Sequence, residues 1–391
     1  MRLLLRCVAW AMALGLCAGC ATVAPIDQSV PRALLDDAAF PPPARPVDAT
    51  AVLALSPAMR QYLDVDLAPL LRRRGRVDGL VEALYSKANL RLDYDSEVTR
   101  TAAEAFDARA GNCLSLAVMT AALAKHLNLP VEYQVLVGQE SWSREAGLSI
   151  ANGHVNITVS RRLVDRLPGY DDSGALRLDF GGLAAGRGAA LRTVGEPRVL
   201  AMFMSNRAAE SLVRGDLAQA YAYAREALMQ DPGYASAYNT LGVIYRRHGL
   251  HEHAERAWRQ ALAIDAQHAP TLTNLAHAYE TSDRAAQAAP LRGLLARLDA
   301  DPPFEQFDLG RAALARGDAA AARRHFERAL KREPDYHEFH FQLAIALAQL
   351  GDFDAARQHL ETARRNSPTR RDQALYAGKL LRLKAQESAL H

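Results

Sequence analysis

The sequence predicts two unlike folded parts: an α+β domain over residues 52–195, built as a central helix on an antiparallel sheet, and an all-α solenoid of paired helices over 201–370. Three observations carry that prediction. The stretch from Cys113 to Leu127 is apolar almost all round, as a helix buried on most of its faces must be. Three later segments alternate apolar and polar residues with the period of a strand. Beyond them, small and apolar residues return every 34 positions. At 391 residues and 49% hydrophobic, the chain can build two or three domains with real cores.

Taken in order, residues 1–20 read as an export signal. Arg2 and Arg6 flank an apolar run too short to span a bilayer, and small residues precede Cys20. Residues 21–51, rich in Pro, Ala and Asp, read as a tether. In the first domain, residues 67–87 have helical periodicity, 90–94 read as a short strand, and 99–108 as a helix leading into Gly111-Asn112-Cys113-Leu114-Ser115. The strands follow. Val131, Tyr133, Val135 and Val137 share one face. Val155, Ile157 and Val159 point one way, with His154, Asn156 and Thr158 the other; Leu176, Leu178 and Phe180 oppose Arg177 and Asp179. The segment 138–153, with Trp142, reads as a long loop over the site, and the glycine-rich 181–195 as the interdomain linker.

In the second part, Ala220, Ala254, Ala288, Ala322 and Ala356 keep the 34-residue step, as do Leu241, Leu275, Leu309 and Leu343. The clearest unit runs Tyr238, Leu241-Gly242, Tyr245, Ala254, Trp258, Ala261. This is the tetratricopeptide (TPR) signature, and it implies five helix pairs with a groove that binds protein or peptide. The first unit is weak, with Arg207 at the Leu place. The third is degenerate, with Arg292 where an aromatic is expected. Residues 371–391 read as a capping helix. The group His248, His251 and His253 lacks a metal-binding arrangement and reads as a solvated turn.

Four cysteines are present, and three of them lie within the first 20 residues. Cys113 is therefore the only thiol left in an exported fold, where an unpaired cysteine invites oxidation and needs a reason. At the start of a helix capped by Asn112, free N–H groups and the positive helix end favour a thiolate and can hold an oxyanion. His154 is the candidate base, Asp179 the candidate orienter of its imidazole, and Asn156 the rival orienter. Each residue also has a plain structural reading: a small core residue, a satisfied strand histidine, a turn carboxylate.

Residues 90–180 resemble the transglutaminase-like domain of bacteria, a branch of the papain-like cysteine enzymes, through Arg109-Ala110-Gly111-Asn112-Cys113-Leu114-Ser115, His154-Val155-Asn156-Ile157-Thr158-Val159 and Leu178-Asp179-Phe180. The resemblance implies a cysteine peptidase or amide acyltransferase acting through a Cys113 thioester, with no metal or organic cofactor. The ending Ala18-Gly19-Cys20 resembles a bacterial lipobox, with Cys17 in place of the usual Leu. That implies a lipid anchor on Cys20. Thr22, where Asp would retain the protein at the inner membrane, implies the outer membrane of a Gram-negative cell, facing the periplasm. Removing the arginines of the first 20 residues lowers the net charge from +3 to +1, so nothing calls for nucleic acid. The alternative function is a non-catalytic interaction scaffold or envelope assembly factor with a degenerate enzyme domain.

Overall fold

Gly75 ends the first long helix before it has run its predicted course. Its φ of 86° belongs to the left-handed region. The periodic stretch 67–87 is therefore two helices, α2 (Ala68–Arg74) and α3 (Arg76–Tyr85), after a short α1 (Pro57–Gln61). The computed structural model describes residues 32–86, 90, 92–95, 98–137, 141–145, 148–152, 155–160, 175–180, 190–298, 303–367 and 370–390. Cys20 and His154 lie outside the described residues.

Helix α4 (Ala102–Ala108) starts at a capping box, in which Thr101 accepts from Glu104 N while the Glu104 carboxylate takes the Thr101 amide. Two-residue strands β1 (Asp93–Tyr94) and β2 (Ala110–Gly111) pair in parallel, closing the loop before helix α5 (Cys113–His126). Every residue of α5 from Leu114 to Ala124 is buried. It packs on β3 (Val131–Val137) and β6 (Val155–Val159), the inner strands of a four-stranded antiparallel sheet. The outer strands are β7 (Leu176–Leu178) beside β6 and β8 (Ala190–Val194) beside β3. Helix on antiparallel sheet is thus present. The linker expectation fails at its end, because β8 completes the sheet by pairing Tyr133 with Val194 and Val137 with Ala190. The expected loop over 138–153 contains a hairpin, β4 (Ser141–Glu145) with β5 (Leu148–Asn152).

The tether expectation also fails from Arg32 onward. Two 3-10 turns, Arg32–Leu34 and Asp37–Ala39, lie in a strap on the helical array, and a third, Ala49–Leu53, packs on α4, α5 and the helix Glu196–Val213. Phe40 lies flat on Tyr221, with centroids 4.2 Å apart and planes at 4°, and tilts against His248 at 4.6 Å. Tyr245 Oη accepts from Asp36 N and donates to the Leu34 carbonyl, and His248 Nε2 donates to the Ala39 carbonyl at 2.9 Å. His253 pairs with Asp36 at 3.4 Å. Two of the three clustered histidines are therefore the seat of the strap rather than a solvated turn. Among the described residues no group of His, Cys, Asp or Glu is arranged to hold a metal ion.

The array follows as α6 (Glu196–Val213) with α7 (Leu217–Gln230), α8 (Ala235–Arg247) with α9 (His251–Ile264), α10 (Ala269–Glu280) with α11 (Ala285–Arg297), α12 (Pro303–Ala315) with α13 (Ala319–Arg332), and α14 (His337–Gln349) with α15 (Phe353–Asn366). The last helix, α16 (Arg370–Leu390), packs on α15. Within a pair the helices approach closely because residues such as Gly242 have no side chain. A Cβ there would fall 2.4 Å from Trp258 Nε1. The first helix of each pair ends at a left-handed residue: Gly215, Gly249, Asp283, Gly317 and Gly351. Asp283 marks the degenerate third unit. Within that unit Arg292 of α11 grips Glu280 of α10 at 2.8 and 2.9 Å, while Arg284 ties it to the unit before, reaching Glu255 of α9 at 2.7 Å. Among the described residues no helix is long and apolar enough to cross a membrane.

Candidate functional site

The candidate cysteine sits on a braced turn. Arg109, left-handed at φ 51°, and Gly111 bring the chain round into α5, and a Cβ on Gly111 would meet Ser115 Cβ at 2.6 Å. Asn112 caps the helix as its residue type predicts. Its Oδ1 accepts from Ser115 N at 2.8 Å and Ser115 Oγ at 2.7 Å, and its Nδ2 donates to Thr99 Oγ1 at 2.9 Å. Ser115 Oγ in turn accepts from Arg100 N at 2.8 Å. Asn112 is thereby spent on structure. Cys113, the first residue of the helix, is a half-buried free thiol.

The other candidates fall on the neighbouring sheet. Asn156 is buried on β6, the strand α5 packs against. Asp179, half-buried, follows β7, whose Leu178 is in register with Ile157 of β6. Asn156 thus lies on a strand beneath the helix that Cys113 begins, and Asp179 follows the strand beside it. Both faces of β6 are covered: Val155, Ile157 and Val159 are fully buried, yet so is Asn156. The alternation read from sequence was right in period. It did not show that the polar face is enclosed too.

Thr99 ties this turn to the helical array. Its amide donates to Glu210 Oε1 at 2.7 Å and its carbonyl accepts from Arg207 Nη1 at 3.0 Å, both residues lying on α6. Arg207 occupies the place where the repeat pattern expects Leu, so the weakness of the first unit is its contact with the first domain.

A second candidate site is the face formed by the first helices of the second and third units. The strand β5 runs against both α8 and α10. On these two helices and at the cap of α10 the polar side chains form one network. Asn274 Nδ2 and Thr271 Oγ1 both donate to Asn239 Oδ1, at 3.0 and 3.3 Å. With the Thr271 proton so used, His268 Nδ1 must donate to Thr271 Oγ1, at 2.7 Å, and His268 Nε2 accepts from Ser236 Oγ at 3.0 Å. The imidazole is neutral in this arrangement, and burial pushes its pKa down to about 4 against a weaker opposing pull from Asp265. Sequence reading missed this network because Asn239 and Asn274 do not stand in the same place of their repeats. The available signal was polar residues on otherwise buried helices.

Comparison with known proteins agrees on the array. Residues 235–264 and 307–371 each match a tetratricopeptide-repeat family model. Among curated proteins, the general transcriptional corepressor ssn6 of Schizosaccharomyces pombe is 41% identical over 56 residues, which are 14% of this chain. The match spans 5% of that relative's length. Among solved structures, PilF of Pseudomonas aeruginosa is 21% identical with a TM-score of 0.31, the match covering 48% of this chain and 90% of that one. A thermophilic TPR protein of Thermus thermophilus is 19% identical with a TM-score of 0.34, covering 46% and 99%. The C-terminal region carries tetratricopeptide repeats, which are protein-interaction modules.

Proposed function

We propose that this chain is an interaction scaffold whose repeat array holds a protein or peptide partner as an extended segment on the α8–α10 face. One observation carries this reading: that face already has an extended strand, β5 of the chain's own first domain, laid along it. A partner segment would take the place of β5 on this face, against the helices that carry Asn239 and Asn274. A lipid anchor on Cys20 would hold the scaffold at the outer membrane, facing the periplasm, where it would act in envelope assembly. The test is crosslinking of the full chain in cells, quantified by mass spectrometry. A partner held on this face is depleted by Asn239→Ala and Asn274→Ala and retained by Cys113→Ala. A partner profile unchanged by both asparagine substitutions overturns the assignment of the face.

A second reading is favoured by the position of Cys113. A half-buried free cysteine heads a helix packed on antiparallel strands, with Asp179 at the end of one of them. In this reading the domain is a transglutaminase-like cysteine peptidase or acyltransferase. Cys113 Sγ attacks an amide carbonyl while His154 takes the thiol proton and returns it to the departing amine. Asp179 orients the imidazole, and water or a second amine then resolves the thioester. Alkylation of Cys113 by iodoacetamide, followed from pH 5 to 9, tests it. Fast reaction at pH 6 that collapses in His154→Ala supports the enzyme. The same slow, thiol-like profile in both proteins removes it and leaves the scaffold reading standing.

A further inference from the structure

Where the strap crosses the first repeat it forms one wall of a half-open pocket of about 340 Å³. Arg45 of the strap, Arg207 and Arg214 of α6 and its end, and Asp216, Gln219 and Tyr223 of α7 and its cap line it. Three arginines thus line one pocket, and a guanidinium cannot shed its charge by deprotonation.

The local carboxylates offset that charge only in part. Asp216 is committed to capping α7, accepting from Gln219 N at 3.0 Å. Glu210 stands 3.7 Å from Arg207, which also holds the Thr99 carbonyl and reaches Tyr223 Oη at 3.4 Å. Arg214 donates to Ser211 Oγ at 3.1 Å and lies in the field of Glu210 without a close ion pair. Arg45 is fixed by its backbone. Its N–H donates to Gln219 Oε1 and its carbonyl accepts from Gln219 Nε2, both at 3.0 Å, and Gln219 is only 5% exposed. Among the described residues the Arg45 guanidinium itself makes no ion pair. The buried Gln219 clamp thus holds the exposed Arg45 at the rim of the pocket.

We propose that this cavity is an oxyanion-binding site, for a ligand bearing a phosphate or carboxylate group, and that the site is complete only when the strap is docked. Arg45 and Arg214 supply charge from opposite sides of the strap–array junction, and Tyr223 Oη and Gln219 supply neutral polar contacts. A ligand that needs Arg45 binds the docked strap alone, so by linkage it holds the strap down. It also competes for Arg207, the residue that grips Thr99 beside the Cys113 turn. Binding there needs neither the α8–α10 face nor the Cys113 thiol.

The test is titration calorimetry of the full chain with inorganic phosphate and, separately, with succinate, at ionic strength held constant with chloride. The expected result is a dissociation constant below about 1 mM for at least one probe, raised about tenfold or more by Arg45→Gln and by Arg214→Gln and unchanged by Arg72→Gln, a surface arginine elsewhere. Phosphate alone, or succinate alone, supports the site and says which oxyanion it takes. Phe40→Ala, which frees the strap without touching the cavity, should weaken binding by a similar factor. The proposal is overturned if neither probe binds below about 10 mM, or if affinity is the same in Arg45→Gln, Arg214→Gln and the parent chain. Unchanged affinity in Phe40→Ala, with the strap shown to be free by proteolysis, overturns the role of the strap.

Discussion

Glu210 Oε1 accepts the main-chain amide of Thr99 at 2.7 Å, so a side chain of the first repeat holds the backbone of the domain before it. Thr99 is 1% exposed, and its hydroxyl accepts from Asn112, the cap of the helix that Cys113 begins. The two parts of the chain thus meet at the support of the candidate cysteine.

Glu210→Ala removes the acceptor and leaves a buried N–H without a partner, which costs about 1–3 kcal/mol. The urea midpoint should fall accordingly. Cys113 alkylation in native buffer should also change, because the Asn112 cap loses its footing. Glu210→Gln, which keeps an oxygen at the same place, should restore most of both. A full loss of stability with an unaltered alkylation rate would show that Thr99 does not transmit the contact.

Phe40→Ala removes the ring stacked on Tyr221 and should release the strap. Truncating a buried phenylalanine costs about 3–5 kcal/mol, an upper bound here because the strap can detach without unfolding the array. Limited proteolysis should then cut within residues 41–48 while the repeats stay protected. An uncut strap in this variant would mean that the hydrogen bonds of Tyr245, Gln219 and His248 hold it unaided.

Gly242→Ala should destabilise the second repeat, since the added methyl would overlap the Trp258 indole. Overpacking of this kind costs about 1–3 kcal/mol. The loss should appear as a lower thermal midpoint together with a shifted tryptophan emission. Gly378→Ala, where a Cβ meets nothing within 4 Å, is the matched control.

His268 should make the array acid-sensitive. Its pKa in the fold is about 4, below the ordinary 6.5, so the unfolded chain takes up the proton first as pH falls. The stability that His268 contributes is full above pH 6.5. It is lost between pH 6.5 and 4 and changes no further below that, a total of about 3 kcal/mol. His268→Gln, which cannot titrate, should flatten the slope of stability against pH in this window. An unchanged slope would move the acid sensitivity to another group, such as the His340–His359 pair, where burial also holds both imidazoles below their ordinary range.

Much of the array was legible because its signals are local and repeated. The 34-residue step returned the alanines of the packed seams with Leu241, Leu275 and Leu343, whereas Leu309 on the same step is 44% exposed, and the left-handed ends at Gly215, Gly249, Gly317 and Gly351 keep the step too. Arg207 and Arg292 looked like decay of the pattern, yet one is a contact with the first domain and the other an ion pair with Glu280 across its own helix pair. In the first domain, the α5 helix and the alternation of β3 and β6 could be read directly, whereas in β7 Leu176 is exposed and only Leu178 is buried. The hairpin β4–β5 could not, because it lies against α8 and α10, about a hundred residues further along the chain.

The sequence by itself determined the periodic elements: a helix apolar on every side, strands of period two, and repeats of helix pairs with a small residue wherever two helices touch. Each of these follows from spacings of a few residues, which fix which side chains share a face. Only the tertiary structure decided what covers those faces. Phe40 lies in a proline-rich stretch with no period of its own, and its seat is made by Tyr221, Tyr245 and His248, distant in sequence. Arg45, Arg207 and Arg214 became one cluster only when the strap folded back. Such docking depends on surfaces that exist only after the array has formed, and no local spacing encodes them.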